Sequence, residues 1–366
     1  CMAQRYQKEI IEEVPEVDAV LGTTSYGDIV KALEEAVAGN HFEEFRDIDY
    51  LPDTGSKRVL TTGGHFGYLK IAEGCDKHCT YCIIPKLRGK FRSVPMERLI
   101  AQAEDMAEQG VKELILVAQE TTVYGKDLYG KKSLHILLKK LCEIRGIRWI
   151  RILYCYPEEI YDELIETIRD EKKICHYLDI PIQHASDRIL KRMGRRTSKQ
   201  ELIDIVGKLR KEIPDIVLRT TLITGSPGAT EEDHEELKEF VDEMEFDRLG
   251  VFTYSPEENT PAAEMADQVP EEVKEERRDE LMELQQEISY DRGQDRIGQE
   301  LLVMIEGKVA DESAYIGRTY GDAPKVDGYI FVQTGELLMT GDFAKVRVTG
   351  ALEYDLIGVL SDEYTE

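Results

Sequence analysis

Three cysteines, Cys75, Cys79 and Cys82, form a C-x3-C-x2-C array inside Glu73-Gly-Cys-Asp-Lys-His-Cys-Thr-Tyr-Cys-Ile-Ile-Pro85. Thiolates this close on one loop can grip a single soft metal centre, and a thiolate-only set selects zinc or an iron–sulfur cluster. A structural zinc asks for a fourth ligand at matching spacing, and no second C-x2-C or paired His follows. A four-iron cluster on three cysteines instead leaves one iron open to a substrate or cofactor. A zinc knuckle and three unrelated buried thiols are the plainer alternatives. His78, inside the array, is either a ligand or a loop residue beside the metal.

The array follows the apolar run Tyr68–Ala72, and from there short apolar runs alternate with amphipathic ones. The spacing predicts strands at Tyr68–Ala72, Glu113–Val117, Trp149–Leu153, Tyr177–Pro181, Val217–Ile223 and Gly250–Tyr254. It predicts helices at Met96–Gln109, Leu134–Ile144, Glu158–Arg169, Asp187–Met193, Lys199–Glu212 and Glu231–Met244. Repeated β-then-α units call for a parallel sheet wound with right-handed crossovers, here an open (β/α)6 partial barrel. Ligands of such sheets sit at the carboxyl ends of the strands, the end from which the cysteine loop springs.

Residues 1–64 read as the remnant of an α/β unit with a helix at 7–13, a strand at Ala19–Leu21 and a helix at Asp28–Ala38. An acidic, irregular linker runs on from Gly39 to Gly64, with turn chemistry at Pro52-Asp-Thr-Gly55. The start at Cys1-Met-Ala-Gln-Arg-Tyr6 is abrupt and reads as a cut from a longer protein. The α/β body spans 65–293 and includes a long charged helix from Glu271 to about Arg292. Period-2 patterns in 294–366 predict a five-stranded β-barrel, a class that often binds another macromolecule.

The balance of 73 acidic against 47 basic residues, a net charge of −26, disfavours a nucleic-acid binder and suits a basic protein partner. Solubility alone is the bland account of the same charge. No apolar run nears the roughly 18 residues of a membrane helix, no signal peptide opens the chain, and seven cysteines lack a disulfide framework. A cytoplasmic location is the expectation. Cys142 and Cys175 read as core, Cys155 less plainly so.

Polar groups fall where a cofactor would need them: Gln119 and Glu120 after the second strand, Gln183 at the fourth, Arg219 opening the fifth. The loop Thr224-Gly-Ser-Pro-Gly-Ala-Thr230 then offers backbone N–H groups at a helix start, or simply a Thr230 cap with Asp233 in the capping-box position. The basic cluster Lys191–Arg196 is either an anion contact or a solvated turn.

The cysteine spacing, with Tyr81 before the last Cys, resembles the signature of the radical S-adenosylmethionine (SAM) superfamily. Nearly the whole chain resembles its methylthiotransferases: Gly74-Cys75…Cys79…Cys82-Ile-Ile-Pro85…Arg88-Gly89, Asp179-Ile-Pro-Ile-Gln-His184 with Leu190-Lys-Arg-Met-Gly-Arg195, and Arg219-Thr-Thr…Gly225. The resemblance implies a 4Fe-4S cluster on Cys75, Cys79 and Cys82 that binds SAM and cleaves it to a 5′-deoxyadenosyl radical. It places Tyr81, Gln119, Glu120, Gln183, Arg219 and Ser226 around SAM. Cys1 matches one ligand of a second, auxiliary 4Fe-4S cluster whose other two cysteines lie upstream. The chain departs from the family's G-F-P-G-E-T in reading Gly225-Ser-Pro-Gly-Ala-Thr230, without the Glu.

Within the family the tail Ala323-Pro-Lys-Val-Asp-Gly328 is similar to the TRAM barrel of the RimO branch, which acts on an aspartate of the twelfth small-subunit ribosomal protein. The sister branch acts on tRNA adenosine. Residues 294–366 carry 14 Asp or Glu against 6 Lys or Arg, which favours the basic protein over tRNA. An electron donor such as flavodoxin or ferredoxin is implied as well. A zinc-stabilised binding module without catalysis is the reading of another class.

Overall fold

Apolar runs buried on both faces fold as parallel strands covered by helices. The structure, a computed structural model, describes residues 1–52 and 58–361. β1 (Ala19–Leu21) and β2 (Phe42–Glu44) pair in parallel as a small N-terminal sheet. β3 (Phe66–Lys70) is followed by a short antiparallel pair, β4 (Ala72–Glu73) and β5 (Arg92–Ser93). Then come β6 (Glu113–Val117), β7 (Trp149–Ile152), β8 (Ile174–Asp179), β9 (Val217–Thr224) and β10 (Arg248–Thr253). Among the described residues, β3, β6, β7, β8, β9 and β10 lie side by side in chain order as one parallel six-stranded sheet with two free edges. This is the open α/β architecture that the sequence predicts.

β11 (Glu300–Lys308), β12 (Ala314–Arg318), β13 (Ile330–Gln333), β14 (Phe343–Ala351) and β15 (Leu356–Leu360) close into a barrel. The helix Glu271–Gln294 leads to it, packing on β10 and β14. Among the described residues no helix is long and apolar enough to cross a membrane.

Three local expectations are corrected. The linker holds β2, because the open edge of β1 offers backbone partners to Phe42–Glu44 whatever their charge. β8 begins at Ile174 rather than Tyr177, since Ile174 already pairs with Ile150 of β7. The helix read from Glu158 starts at Asp162, after a 3-10 turn at Pro157–Glu159, because Pro157 opens a separate turn. The turn read at Pro52-Asp-Thr-Gly55 lies, from Asp53 on, outside the described residues.

Barrel and sheet share a core in which Trp149, Cys175, Tyr177 and Val217 meet Met304, Ala323 and Phe343. The Trp149 and Phe343 rings stand edge to face, 4.8 Å apart. Beside this apolar patch lies a buried ionic chain. Glu113 accepts from Arg151 Nε (2.8 Å) and from Arg318 Nη2 (2.6 Å), and all three side chains are fully buried. Arg318 Nε continues to Glu306 (2.6 Å), which meets His65 Nε2 at 2.9 Å. Charges taken from water hold only when each finds partners, so this chain ties the first strands of the sheet to the barrel in one register.

Candidate active site

The cysteine loop leaves β4 and is fastened on several sides. Cys75 N–H donates to Gly89 O (3.1 Å), Phe91 N–H to Asp76 Oδ1 (3.0 Å), and Thr80 N–H to Met193 O (2.9 Å). The Thr80 hydroxyl donates to Arg192 O (2.8 Å), and Ala262 N–H donates to Thr80 O (3.0 Å). Gly194, at φ 73°, lets this happen: a Cβ there would stand 2.8 Å from His78 O.

Cys75 and Cys79 are buried, Cys82 is half-buried, and none is in a disulfide. Burial pushes the Cys75 thiol up to about 11. Cys75 Sγ accepts from Lys77 N–H at 3.4 Å, and Cys79 Sγ lies 3.8 Å from the Tyr156 hydroxyl. Among the described residues no three His, Cys, Asp or Glu side chains converge on a single metal ion. His78, weighed as a ligand, is exposed.

Beside the loop, at the carboxyl ends of the strands, opens a cavity of about 500 Å³. Tyr81, Tyr154, Asp179, Gln183, Arg219 and Tyr254 line it. Tyr154 (φ 65°) and Gln183 (φ 72°) adopt left-handed backbone, uncommon for side-chain-bearing residues, just where the chain leaves β7 and β8. Of the residues singled out from sequence, Tyr81, Gln183 and Arg219 thus share one space. Ser226 shares a smaller neighbouring one with Tyr81, Thr80 and Tyr254. Gln119 and Glu120 line neither. Glu120 lies behind, accepting from Thr122 N–H (3.1 Å) and Tyr156 N–H (3.5 Å), and burial pushes its carboxyl up to about 7.

Buried polar atoms are normally paired, so the exceptions are informative. Gln119 Oε1, Glu120 Oε2, Ser226 Oγ and the Tyr254 hydroxyl are buried without a hydrogen-bond partner, and so are Arg195 Nε and Nη1. Arg195 and Tyr156 are what the sequence reading missed. The Arg195 guanidinium lies 4.3 Å over the Tyr156 ring, and its Nη2 donates to Pro181 O (2.8 Å). Its signal was the basic cluster Lys191–Arg196, in which only the fold shows Arg195 to be buried. Burial also raises the Tyr81, Tyr154 and Tyr156 phenols, which therefore stay protonated as donors.

Thr230 caps the helix Glu231–Met244. Its hydroxyl accepts from Asp233 N–H, while Asp233 accepts from Thr230 N–H (2.8 Å) and from Ser186 Oγ (2.7 Å). The cap accounts for Thr230. Thr230→Ala is expected to cost about 1 kcal/mol in thermal unfolding and to leave SAM affinity unchanged; weaker SAM binding would return Thr230 to the site. Cys1 is exposed and accepts from Arg88 Nε at 3.3 Å.

Comparison with known proteins agrees along the whole length. A Radical SAM superfamily model matches residues 69–241 and a TRAM domain model matches 297–360. The ribosomal protein uS12 methylthiotransferase RimO of Lachnoclostridium phytofermentans is 64% identical over 98% of this chain and 81% of that protein. This chain belongs to the RimO family. A RimO of Clostridium perfringens is 51% identical over 99% of the chain and 81% of its own length. Among solved structures, coproporphyrinogen III oxidase (HemN) of Escherichia coli aligns with a TM-score of 0.48 at 17% identity. That alignment covers 77% of this chain and 66% of that one, and a likeness this loose carries no argument about the RimO site.

Proposed function

We propose that this chain is a radical SAM methylthiotransferase that adds a methylthio group to the β-carbon of an aspartate in ribosomal protein uS12. The observation that carries the reading is the fastened three-cysteine loop opening onto the cavity, in a chain aligned over 98% of its length with a protein of that name. We divide the chain into 1–64, 65–293 and 294–366 as N-terminal α/β unit, radical SAM body and TRAM barrel.

The residues present fit a 4Fe-4S cluster and SAM. Three thiols form the soft donor set on one loop, and the unpaired polar atoms beside them have both signs, as a zwitterionic ligand requires. Cys75, Cys79 and Cys82 would hold the cluster. Bound there, the cluster would supply the one-electron reduction of SAM that is needed to break an unactivated C–H bond, one no side-chain base breaks at useful rates.

The chain's own part is binding and aiming. Arg195 Nε and Nη1, buried without a partner, would meet the carboxylate of SAM, and Glu120 Oε2, unpartnered behind the cavity, would meet its ammonium. Tyr81, Gln119, Gln183 and Ser226 complete the surroundings. Cys1 is assigned to an auxiliary cluster. An electron donor such as flavodoxin or ferredoxin and a cytoplasmic setting belong to the same reading.

Glu120→Gln is expected to weaken SAM binding about tenfold, since a charged hydrogen bond contributes about 1.5–3 kcal/mol. Equilibrium binding to the reconstituted protein measures it, and unchanged affinity would remove Glu120 from the site.

The tRNA alternative asks the barrel for cations, and residues 294–366 are acidic. Anaerobic reconstitution with iron and sulfide, followed by methylthiolation assays on uS12 and on tRNA, tests the proposal. Modification of tRNA alone would replace the substrate. One zinc per chain with no labile sulfide would end the radical reading.

A further inference from the structure

One wall of the cavity comes from the barrel rather than from the sheet. The segment Thr319–Tyr329 joins β12 to β13, and within it Val326, 53% exposed, lines the cavity beside Arg219 and Asp179. The segment is firmly seated. Arg151 Nη1 donates to Tyr320 O (2.6 Å), Arg248 Nη2 to Asp322 Oδ1 (2.6 Å), and Tyr320 OH to Asp215 O (2.8 Å).

Asp327 is the next residue and is buried, its side chain 3% exposed. Its Oδ2 accepts from the Tyr177 hydroxyl and from Ala323 N–H, each at 2.8 Å. Its Oδ1 stands 3.4 Å from Arg219 Nε. Arg219 Nη1 donates to Asp179 Oδ1 (2.8 Å) and Thr221 Oγ1 (3.2 Å), while Nη2 takes part in none of these contacts. Among the described residues Arg219 is the one Lys or Arg lining this cavity.

Resting on the uS12 reading above, we propose that Arg219 meets the carboxylate of the target aspartate and that Asp327 of the barrel loop positions it, with Val326 bounding the space alongside. A planar guanidinium held at Nε and Nη1 presents its remaining nitrogen, Nη2, in a fixed direction, which suits a carboxylate oxygen. Two carboxylates flank Arg219: Asp179 at Nη1 and Asp327, whose Oδ1 stands in ion-pair range of Nε; burial raises the Asp327 carboxyl against the pull of Arg248 and Arg219. The barrel thereby does more than dock a partner: it shapes the electrostatics of the reaction space.

The test uses the intact, anaerobically reconstituted enzyme with uS12 as the target. It reads the KM for uS12, the KM for SAM, and 5′-deoxyadenosine formed per methylthio product. Arg219→Lys and Asp327→Ala are expected to raise the KM for uS12 about tenfold or more. Both should also waste more SAM per product, with the KM for SAM unmoved. Asp327→Asn keeps an acceptor for Tyr177 and Ala323 N–H but turns its amide NH2 toward Arg219 Nε, so it should keep the loop seated and still lose nearly as much as Asp327→Ala. Val326→Phe disturbs no buried charge and should raise the KM for uS12 through bulk alone. Unchanged uS12 kinetics in Asp327→Ala and Val326→Phe would overturn the proposal. A KM for SAM that rises in step with that for uS12 would assign Arg219 to SAM and overturn it equally. A wild-type enzyme that does not cleave SAM at all would instead remove the function on which it rests.

Discussion

Cys79→Ala should abolish SAM cleavage while leaving the fold in place. Removing one of three thiols leaves the donor set short, and reductive cleavage should fall at least about a thousandfold, equivalent to about 4 kcal/mol of barrier. The structural cost should be only about 1 kcal/mol, that of losing one small buried group. The Sγ makes only weak contacts, with the Tyr156 hydroxyl at 3.8 Å and with Tyr81, and the loop is fastened through backbone atoms and Thr80 instead. Iron content, the optical spectrum and 5′-deoxyadenosine yield measure the first claim, and thermal unfolding of the metal-free protein measures the second. Retained cleavage would refute the ligand assignment.

Glu113→Ala should be the most destabilising single change between sheet and barrel. It leaves Arg151 and Arg318 as buried cations without their shared partner, a loss of about 3–5 kcal/mol. The apolar patch around Trp149 and Phe343 is too small to compensate, so the barrel should begin to unfold or detach before the sheet. Limited proteolysis across Gln294–Gly298 and a split thermal transition would register this, and a single unshifted transition would sink the idea.

Acid should act in the same direction. Despite burial, Arg151 and Arg318 hold the Glu113 carboxyl below its ordinary value, His65 and Arg318 do so for Glu306, and Arg248 does so for Asp322. Carboxyls depressed in the folded state stabilise it above their unfolded pKa, about 4. That contribution disappears as pH falls through the folded values. Asp327, raised by burial, works the other way and offsets part of the loss. Barrel detachment should therefore set in on acidification below about pH 4.

What sequence made legible was what is local. The cysteine array is three ligands within eight residues, and Glu113–Val117, Lys199–Glu212 and Glu231–Met244 fold with the boundaries their patterns predict. The rest depends on contacts far along the chain. Glu113 opens a strand and reads as its wet end, yet it is fully buried because Arg318, 205 residues away, arrives with the barrel. Arg195 looks like one of several cations on a turn until Pro181, just past β8, and the Tyr156 ring enclose it. β2 was hidden by its acidic surroundings, since its stability comes from the edge it joins rather than from its own residues. Val326 and Asp327 stood out only as a family-like tail, because no periodicity indicates that a barrel loop reaches into another domain's cavity.

The bonds from Thr80, Cys75 and Asp76 to the Arg192–Met193 turn, Gly89, Phe91 and Ala262 come entirely from polypeptide. None of these bonds depends on a metal, so the socket's fastening should outlast the loss of its inorganic cargo. Oxygen damage would then strip the metal without dismantling the housing, and the cell could reload a finished enzyme instead of synthesising a new one.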